Sequence, residues 1–230
     1  NSGTVNWSDK MYCLNLCEFL KPNNFSENEF NFLQQVAENE MRFPVNRVYI
    51  GSSFCSQYFL HFCKNRNIYD YCKTRGLKIT LTVPIFTQKD LSDGKRAILF
   101  LCNQYKSIID EVTCNDIGML NWLCNNVGQK INLGQLFCKN TRDFRFPIPA
   151  QVSFIMARTS LYERNLLNFI EISPYHKKMD DLVLLTQDLQ FALHQPYCYI
   201  TTSNICKFAS INVKLEQKFR PNICCSLQCK

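Results

Sequence analysis

Glycine and proline are scarce in this sequence, seven and eight among 230 residues, which leaves little material for long flexible linkers. Histidine is scarcer. His61, His176 and His194 are the only three, no two sit at metal-binding spacing, and no His-Glu-x-x-His stretch occurs. Also missing are a Gly-x-Ser-x-Gly elbow, a phosphate-cradling glycine-rich loop and a dinucleotide fingerprint. Their absence argues against a classical serine hydrolase, a P-loop enzyme and a nicotinamide oxidoreductase. No apolar run approaches the roughly 18–20 residues that span a bilayer. Residues 1–10 are polar, lack an initiating Met and show no secretory pattern; they read as a disordered, processed or vector-derived start. The expectation is a soluble, cytoplasmic protein.

What is present points to a folded chain. Hydrophobic residues make up 46% and charged residues 20%, a balance that disfavours disorder. The length suits one α/β domain, whose core buries roughly 70–75% of the unfolded surface. The formal net charge of +7 would favour anionic partners such as RNA, carboxylates, phosphates or acidic lipids. The basic residues are scattered, which is also how a solvated surface looks; the densest stretch holds Lys139, Arg142 and Arg145. The planar forks of Arg142 and Arg145 suit a carboxylate or phosphate, or an ordinary solvated loop.

Fourteen cysteines call for a reason. The sequons Asn6-Trp7-Ser8 and Asn24-Phe25-Ser26 would suit a secreted disulfide protein, but disulfide-dense domains are small and loop-rich. Here strand and helix patterns alternate. Cys63, Cys102 and Cys124 fall inside helical apolar patterns, where a cysteine serves as a small buried hydrophobe. Ligation of a metal or cluster by a subset is the favoured reading.

Hydrophobic periodicity predicts a first strand over Met11–Cys17 and a helix from a Ser26 cap to about Met41, with Glu27 and Glu29 at its positive end. A strand follows at Arg47–Ile50, then one helical pattern from Phe54 to Arg75. Further strands are expected at Leu77–Val83, Ser107–Thr113, Lys130–Leu133, Leu167–Ile172 and Tyr197–Thr201. The intervening helices are expected over Lys89–Tyr105, Asp116–Asn126, Val152–Asn165 and Met179–Leu193. This alternation predicts a parallel sheet in a TIM-barrel-like (β/α) barrel, complete or incomplete, over residues 11–202. Residues 203–230 form a cysteine-rich tail, and a flat doubly wound sheet is the alternative architecture. Barrels place function at the C-terminal ends of strands. Those ends carry Ser52–Cys55, Asn115–Gly118, Gly134, Glu171 and Cys206.

Cys225 and Cys229 are separated by three residues, a spacing that lets two sulfurs converge in a turn. Cys206 follows the last expected strand and Cys55 the second, so the fold can bring both to the same rim. Four converging thiolates would hold a 4Fe-4S cluster or a zinc ion; spacing alone leaves unligated thiols and disulfides open. Cys224 competes with its neighbour Cys225. Among other candidates, His194 precedes Pro196 near the rim and reads as a proton donor or acceptor, or as a loop histidine. Asp116 reads as a substrate group or a helix cap. Glu171 lies in an apolar strand, where a carboxylate is costly unless paired, so it belongs to a site or an ion pair.

Val48-Tyr49-Ile50-Gly51-Ser52-Ser53-Phe54-Cys55-Ser56 resembles the strand-to-loop segment of the collagenase-like peptidase family, peptidase U-32, and most of all its UbiV/UbiU-type iron–sulfur branch. Cys114-Asn115-Asp116-Ile117-Gly118, Asn132-Leu133-Gly134-Gln135 and Phe169-Ile170-Glu171-Ile172 are similar to later strand ends of that family. His194-Gln195-Pro196, then Cys206, then the Cys225 and Cys229 pair, follow in the same order. The resemblance implies a TIM-barrel-like fold and a 4Fe-4S cluster on Cys55, Cys206, Cys225 and Cys229. It implies oxygen-independent hydroxylation, of ubiquinone precursors or of RNA bases, with a paralogous barrel protein as partner in a heterodimer. The family also includes peptidases, so peptidase activity is a further alternative. The substrate would be a small aromatic molecule or RNA, with Asn115, Asp116, Glu171 and His194 along the substrate side. A short region after Glu171 and an end one residue after Cys229 suggest an open barrel, or one that a partner closes. A non-catalytic, metal-stapled partner subunit is the remaining alternative.

Overall fold

The computed structural model describes residues 11–17, 20, 24–137, 167–172, 190–194, 206, 209, 211, 213–218 and 225. Seven strands alternate with helices through most of this length: β1 (Cys13–Asn15), β2 (Arg47–Gly51), β3 (Lys78–Val83), β4 (Ile109–Cys114), β5 (Lys130–Leu133), β6 (Leu167–Ile172) and β7 (Gln190–Leu193). The described helices are α1 (Glu27–Met41), α2 (Ser56–Lys64), α3 (Arg66–Thr74), α4 (Leu91–Gln104) and α5 (Ile117–Asn126), with a 3-10 turn at Leu215–Gln217.

All six strand pairs are parallel, and spatial order follows chain order from β1 to β7. A doubly wound sheet would reverse its strand order at a switch point, so that alternative is excluded. The sheet also curls. Laid flat, β1 and β7 would stand roughly 29 Å apart, six spacings of about 4.8 Å. Instead, Asn15 at the end of β1 and His194 just past β7 approach to 3.4 Å. Among the described residues β1 and β7 are not paired to each other, so the sheet is an incomplete barrel.

Strand alternation divides the sheet into two faces of opposite character. One carries Val48, Ile50, Ile79, Leu81, Val83, Val112, Ile131, Leu133, Ile170 and Ile172, which form one buried cluster with Phe30, Phe59, Phe62, Ile68, Ile98, Leu101 and Leu123 of the helices. The other, concave face carries Arg47, Tyr49, Thr80, Thr82, Glu111, Thr113, Asn132 and Glu171, all buried. That polar face is the one that positions the candidate site.

The helices start where the local chemistry directs. Ser26 caps α1 by accepting the Glu29 N–H, and Arg42, at φ 58°, closes its far end by donating to the Glu38 carbonyl. Asp116 caps α5 in the same way, its carboxylate accepting the Met119 N–H at 2.7 Å.

Two sequence expectations are corrected. The single helix expected from Phe54 to Arg75 is two helices broken at Asn65, which has extended backbone. A continuous helix would carry the stripe of Phe59, Phe62 and Cys63 on to Arg66 and Asp70. The break re-phases the chain so that Ile68, Tyr69 and Cys72 are buried instead. The helix expected over Met179–Leu193 ends in strand: Gln190–Leu193 pairs with Phe169–Ile172 of β6. The three apolar residues Phe191–Leu193 do not tell strand from helix, and pairing along β6 decides it. The strand expected at Tyr197–Thr201 and the helix expected at Val152–Asn165 lie outside the described residues.

Candidate functional site at the concave face

The polar side chains of the concave face fall into two groups, a floor and a rim. At the floor, toward the strand N-termini, Arg47 grips Asp110 through both terminal nitrogens at 2.7 and 3.0 Å and stands 3.3 Å from Glu111. Glu111 also accepts from Thr80 at 2.8 Å, Asn132 at 3.2 Å and Asn168 at 2.9 Å. Burial opposes the Arg47 charge, but the hydrogen bond to Asp110 and the charges of Glu111 and Asp110 outweigh it and raise the Arg47 pKa. Every acceptor here has a donor, as a buried charged network requires. In barrels this end of the strands holds structure.

Toward the strand C-termini lies a chain of four side chains. Thr113 donates its hydroxyl to Oε1 of Glu171 at 2.6 Å, and Oε2 lies 3.2 Å from Nε2 of His194. The other ring nitrogen, Nδ1, faces the Asn15 side-chain amide at 3.4 Å. Asn15 is itself oriented, its Oδ1 accepting the Cys17 N–H at 3.0 Å, so Nδ2 points at the ring. This network assigns the proton to Nε2 and leaves Nδ1 as the acceptor. The His194 N–H continues the β7 ladder onto the Ile172 carbonyl, which fixes the backbone beneath the ring. The Tyr49 ring stands edge-on to the imidazole, centroids 5.6 Å apart.

Glu171 is 3% exposed. Its charge reaches its neighbours. Burial first, then the Glu171 carboxylate, pushes the Tyr49 phenol up, so Tyr49 remains a neutral donor. Burial likewise pushes the Cys13 thiol up to about 11; Arg47 lowers it, and Glu111 and Glu171 raise it. An oriented imidazole backed by a buried carboxylate is an acid–base pair, and a neutral phenol beside it is a hydrogen-bond donor to a bound oxygen.

The structure brings Glu171 and His194 together, Oε2 to Nε2 at 3.2 Å. Asp116 makes its hydrogen bonds within its own loop and helix, as the α5 cap. Asn115 is buried and accepts the Leu136 N–H at 3.2 Å, bracing the loop after β5. A Cβ at Gly134 would fall 2.1 Å from Asn115 Oδ1, so this approach needs glycine. Sequence reasoning passed over Asn15, Tyr49, Thr113 and the Arg47–Glu111 floor. Their signal was the spacing of polar residues by two within apolar strands, as in Arg47/Tyr49, Thr80/Thr82 and Glu111/Thr113.

Cys55 sits at the N-cap of α2, where its sulfur accepts the Tyr58 N–H at 3.4 Å, and Cys206 accepts the Ala209 N–H at 3.3 Å. Cys55, Cys206 and Cys225 are all half-buried. Among the described residues no group of three or more His, Cys, Asp or Glu side chains is arranged to hold a metal ion. Cys229, the fourth thiol of the set, lies outside the described residues, as do Cys224, His176, Lys139, Arg142 and Arg145. Among the described residues no helix is long and apolar enough to cross a membrane. Compared with protein-family models, curated proteins and solved structures, the chain matches none.

Proposed function

We propose that this chain is an enzyme subunit whose chemistry takes place at the C-terminal mouth of the incomplete barrel, with Glu171 and His194 as its proton-transfer pair. The observation that carries the reading is the buried Glu171 carboxylate 3.2 Å from His194, at the strand ends where barrels assemble their sites. The Asn15 contact to Nδ1, at 3.4 Å, is long and is the one a substrate donor would replace. Nδ1 then accepts the substrate proton, and Glu171 stabilises the imidazolium that forms. Thr113 holds the second carboxylate oxygen, so Glu171 keeps its orientation while the ring changes charge.

The sequence resemblance supplies the reaction class: oxygen-independent hydroxylation in a peptidase U-32-type iron–sulfur system acting on a small aromatic precursor of ubiquinone type. In that reading a 4Fe-4S cluster on Cys55, Cys206, Cys225 and Cys229 supplies electron transfer, with zinc as the alternative occupant. A paralogous barrel protein is the partner, and the cytoplasm, where thiols stay reduced, is the compartment. The β1 and β7 edges, unpaired to each other among the described residues, support a partner that completes the barrel.

The test has two readouts. Protein purified without oxygen should contain iron and sulfide and absorb near ~400 nm, and Ser at each of the four cysteines should remove that absorption. Colourless, iron-free protein overturns the cluster. In an anaerobic hydroxylation assay with the partner, Glu171→Gln should lower turnover about 10²–10⁴-fold at unchanged iron content. Full turnover in that variant overturns the proton-transfer pair.

A further inference from the structure

The chain as a whole is basic, with a formal net charge of +7, yet the concave face has the opposite balance. Among the described residues, the buried charged side chains on that face are Arg47, Glu111 and Glu171. Two carboxylates thus stand against one guanidinium, which Asp110 engages through both terminal nitrogens and which lies 3.3 Å from Glu111 at the floor, away from Glu171. Glu111 is enclosed by Thr80, Asn132 and Asn168 at the floor, but Glu171 stands at the rim beside His194 and Tyr49. Water is excluded from these carboxylates, at 6% and 3% exposure, so solvent and salt screen their field weakly.

We infer that the mouth is charge-selective: Glu171, backed by Glu111, excludes phosphates and carboxylates and admits uncharged or cationic ligands, with the Tyr49 hydroxyl donating to an acceptor atom of the ligand. This rests on the reading of the mouth as the ligand site. Three further observations support it. Burial first and then the Glu171 carboxylate raise the Tyr49 pKa, which keeps the phenol protonated beside that carboxylate. The Tyr49 hydroxyl makes no hydrogen bond among the described residues, while its ring is held against His194. No basic side chain among the described residues pairs with Glu171 except His194. Among the described residues, an anion entering here would meet a carboxylate whose one basic partner is His194; a cation or a neutral acceptor would meet no such repulsion.

The three histidines make a sparse proton spectrum, in which the His194 ring signals report the mouth. Three probes of similar shape are titrated into the full-length protein near neutral pH: benzyl alcohol, benzylammonium and benzoate. The expected result is that the alcohol and the ammonium shift the His194 signals, and that benzoate requires at least about tenfold more to do so. Glu171→Gln should narrow that gap several-fold, and Tyr49→Phe should weaken the alcohol without helping benzoate. The inference is overturned if benzoate shifts His194 at concentrations equal to or below those of the alcohol. It is equally overturned if none of the three probes shifts His194. Turnover and iron content are read separately, so charge selectivity can fail while the proton-transfer pair stands.

Discussion

Asp90 shows how much a single buried carboxylate organises outside the site. It is 6% exposed, and it accepts from Ser56 at 2.6 Å, Gln57 at 2.7 Å and Thr87 at 3.1 Å. These bonds tie the first turn of α2, the helix that Cys55 caps, to the approach to α4. Burial opposes the Asp90 charge, but the hydrogen bonds from Ser56, Gln57 and Thr87 outweigh it and lower the pKa below its ordinary 3.8. A carboxylate with a lowered folded pKa stabilises the fold above its unfolded pKa, and the contribution disappears as pH falls through the folded value. Asp90→Asn should therefore lower stability near pH 7 and flatten the loss of stability below about pH 4. Urea midpoints measured across that range check it; parallel curves for the two proteins would contradict it. Of the residues named here, Glu171 and His194 were legible as candidates because a lone carboxylate in an apolar strand and a histidine past a strand are unusual. Asp90 was not legible, because its partners are more than 30 residues away in sequence, except for Thr87.

At the scale of the element, the rim of β2 depends on one backbone conformation. Gly51 closes the strand at φ 126°, and a Cβ there would lie 2.2 Å from the Thr82 carbonyl oxygen on β3. That carbonyl also accepts the Ser52 N–H at 3.1 Å. Gly51→Ala must push β2 from β3 two residues beyond Tyr49, at a cost of about 1–3 kcal/mol. Gly76, at φ 68° in the turn before β3, has nothing within 4 Å of its would-be Cβ, so Gly76→Ala costs only the backbone term, about 1 kcal/mol. Chemical denaturation of both variants gives the comparison, and an equal loss would refute the strand-contact argument. Element starts were readable where capping chemistry is local, as at Ser26 and Asp116. The α2–α3 break was written in the spacing from Cys63 to Ile68, five positions, which fits neither three nor four. Strand β7 was not readable, since its identity depends on β6.

At the scale of the whole molecule, a single apolar cluster joins the convex face of the sheet to the helices. Cys63, Cys72, Cys102 and Cys114 are buried members of that cluster and carry free thiols. Burial pushes Cys72, Cys102 and Cys114 up to about 12 and Cys63 higher. A protonated, enclosed thiol is inert toward alkylation. A maleimide should leave these four unlabelled in native buffer, and under mild denaturant they should react together, at a rate set by global opening. Mass spectrometry of labelled peptides reads this. Prompt labelling of any of the four in the native protein would show that the cluster is not one cooperative unit.

The sequence by itself determined the alternation of strand and helix, the parallel sheet and most element positions. Those follow from periodicity, capping and turn chemistry, which act over a few residues. Only the tertiary structure decided that the strands run in chain order and that the sheet curls until Asn15 of β1 meets His194 just past β7. It alone also decided that the polar positions of separate strands share one concave face. Asn15 and His194 are 179 residues apart, and no local pattern encodes their contact; it arises because successive twisted parallel strands bend the sheet around a common axis.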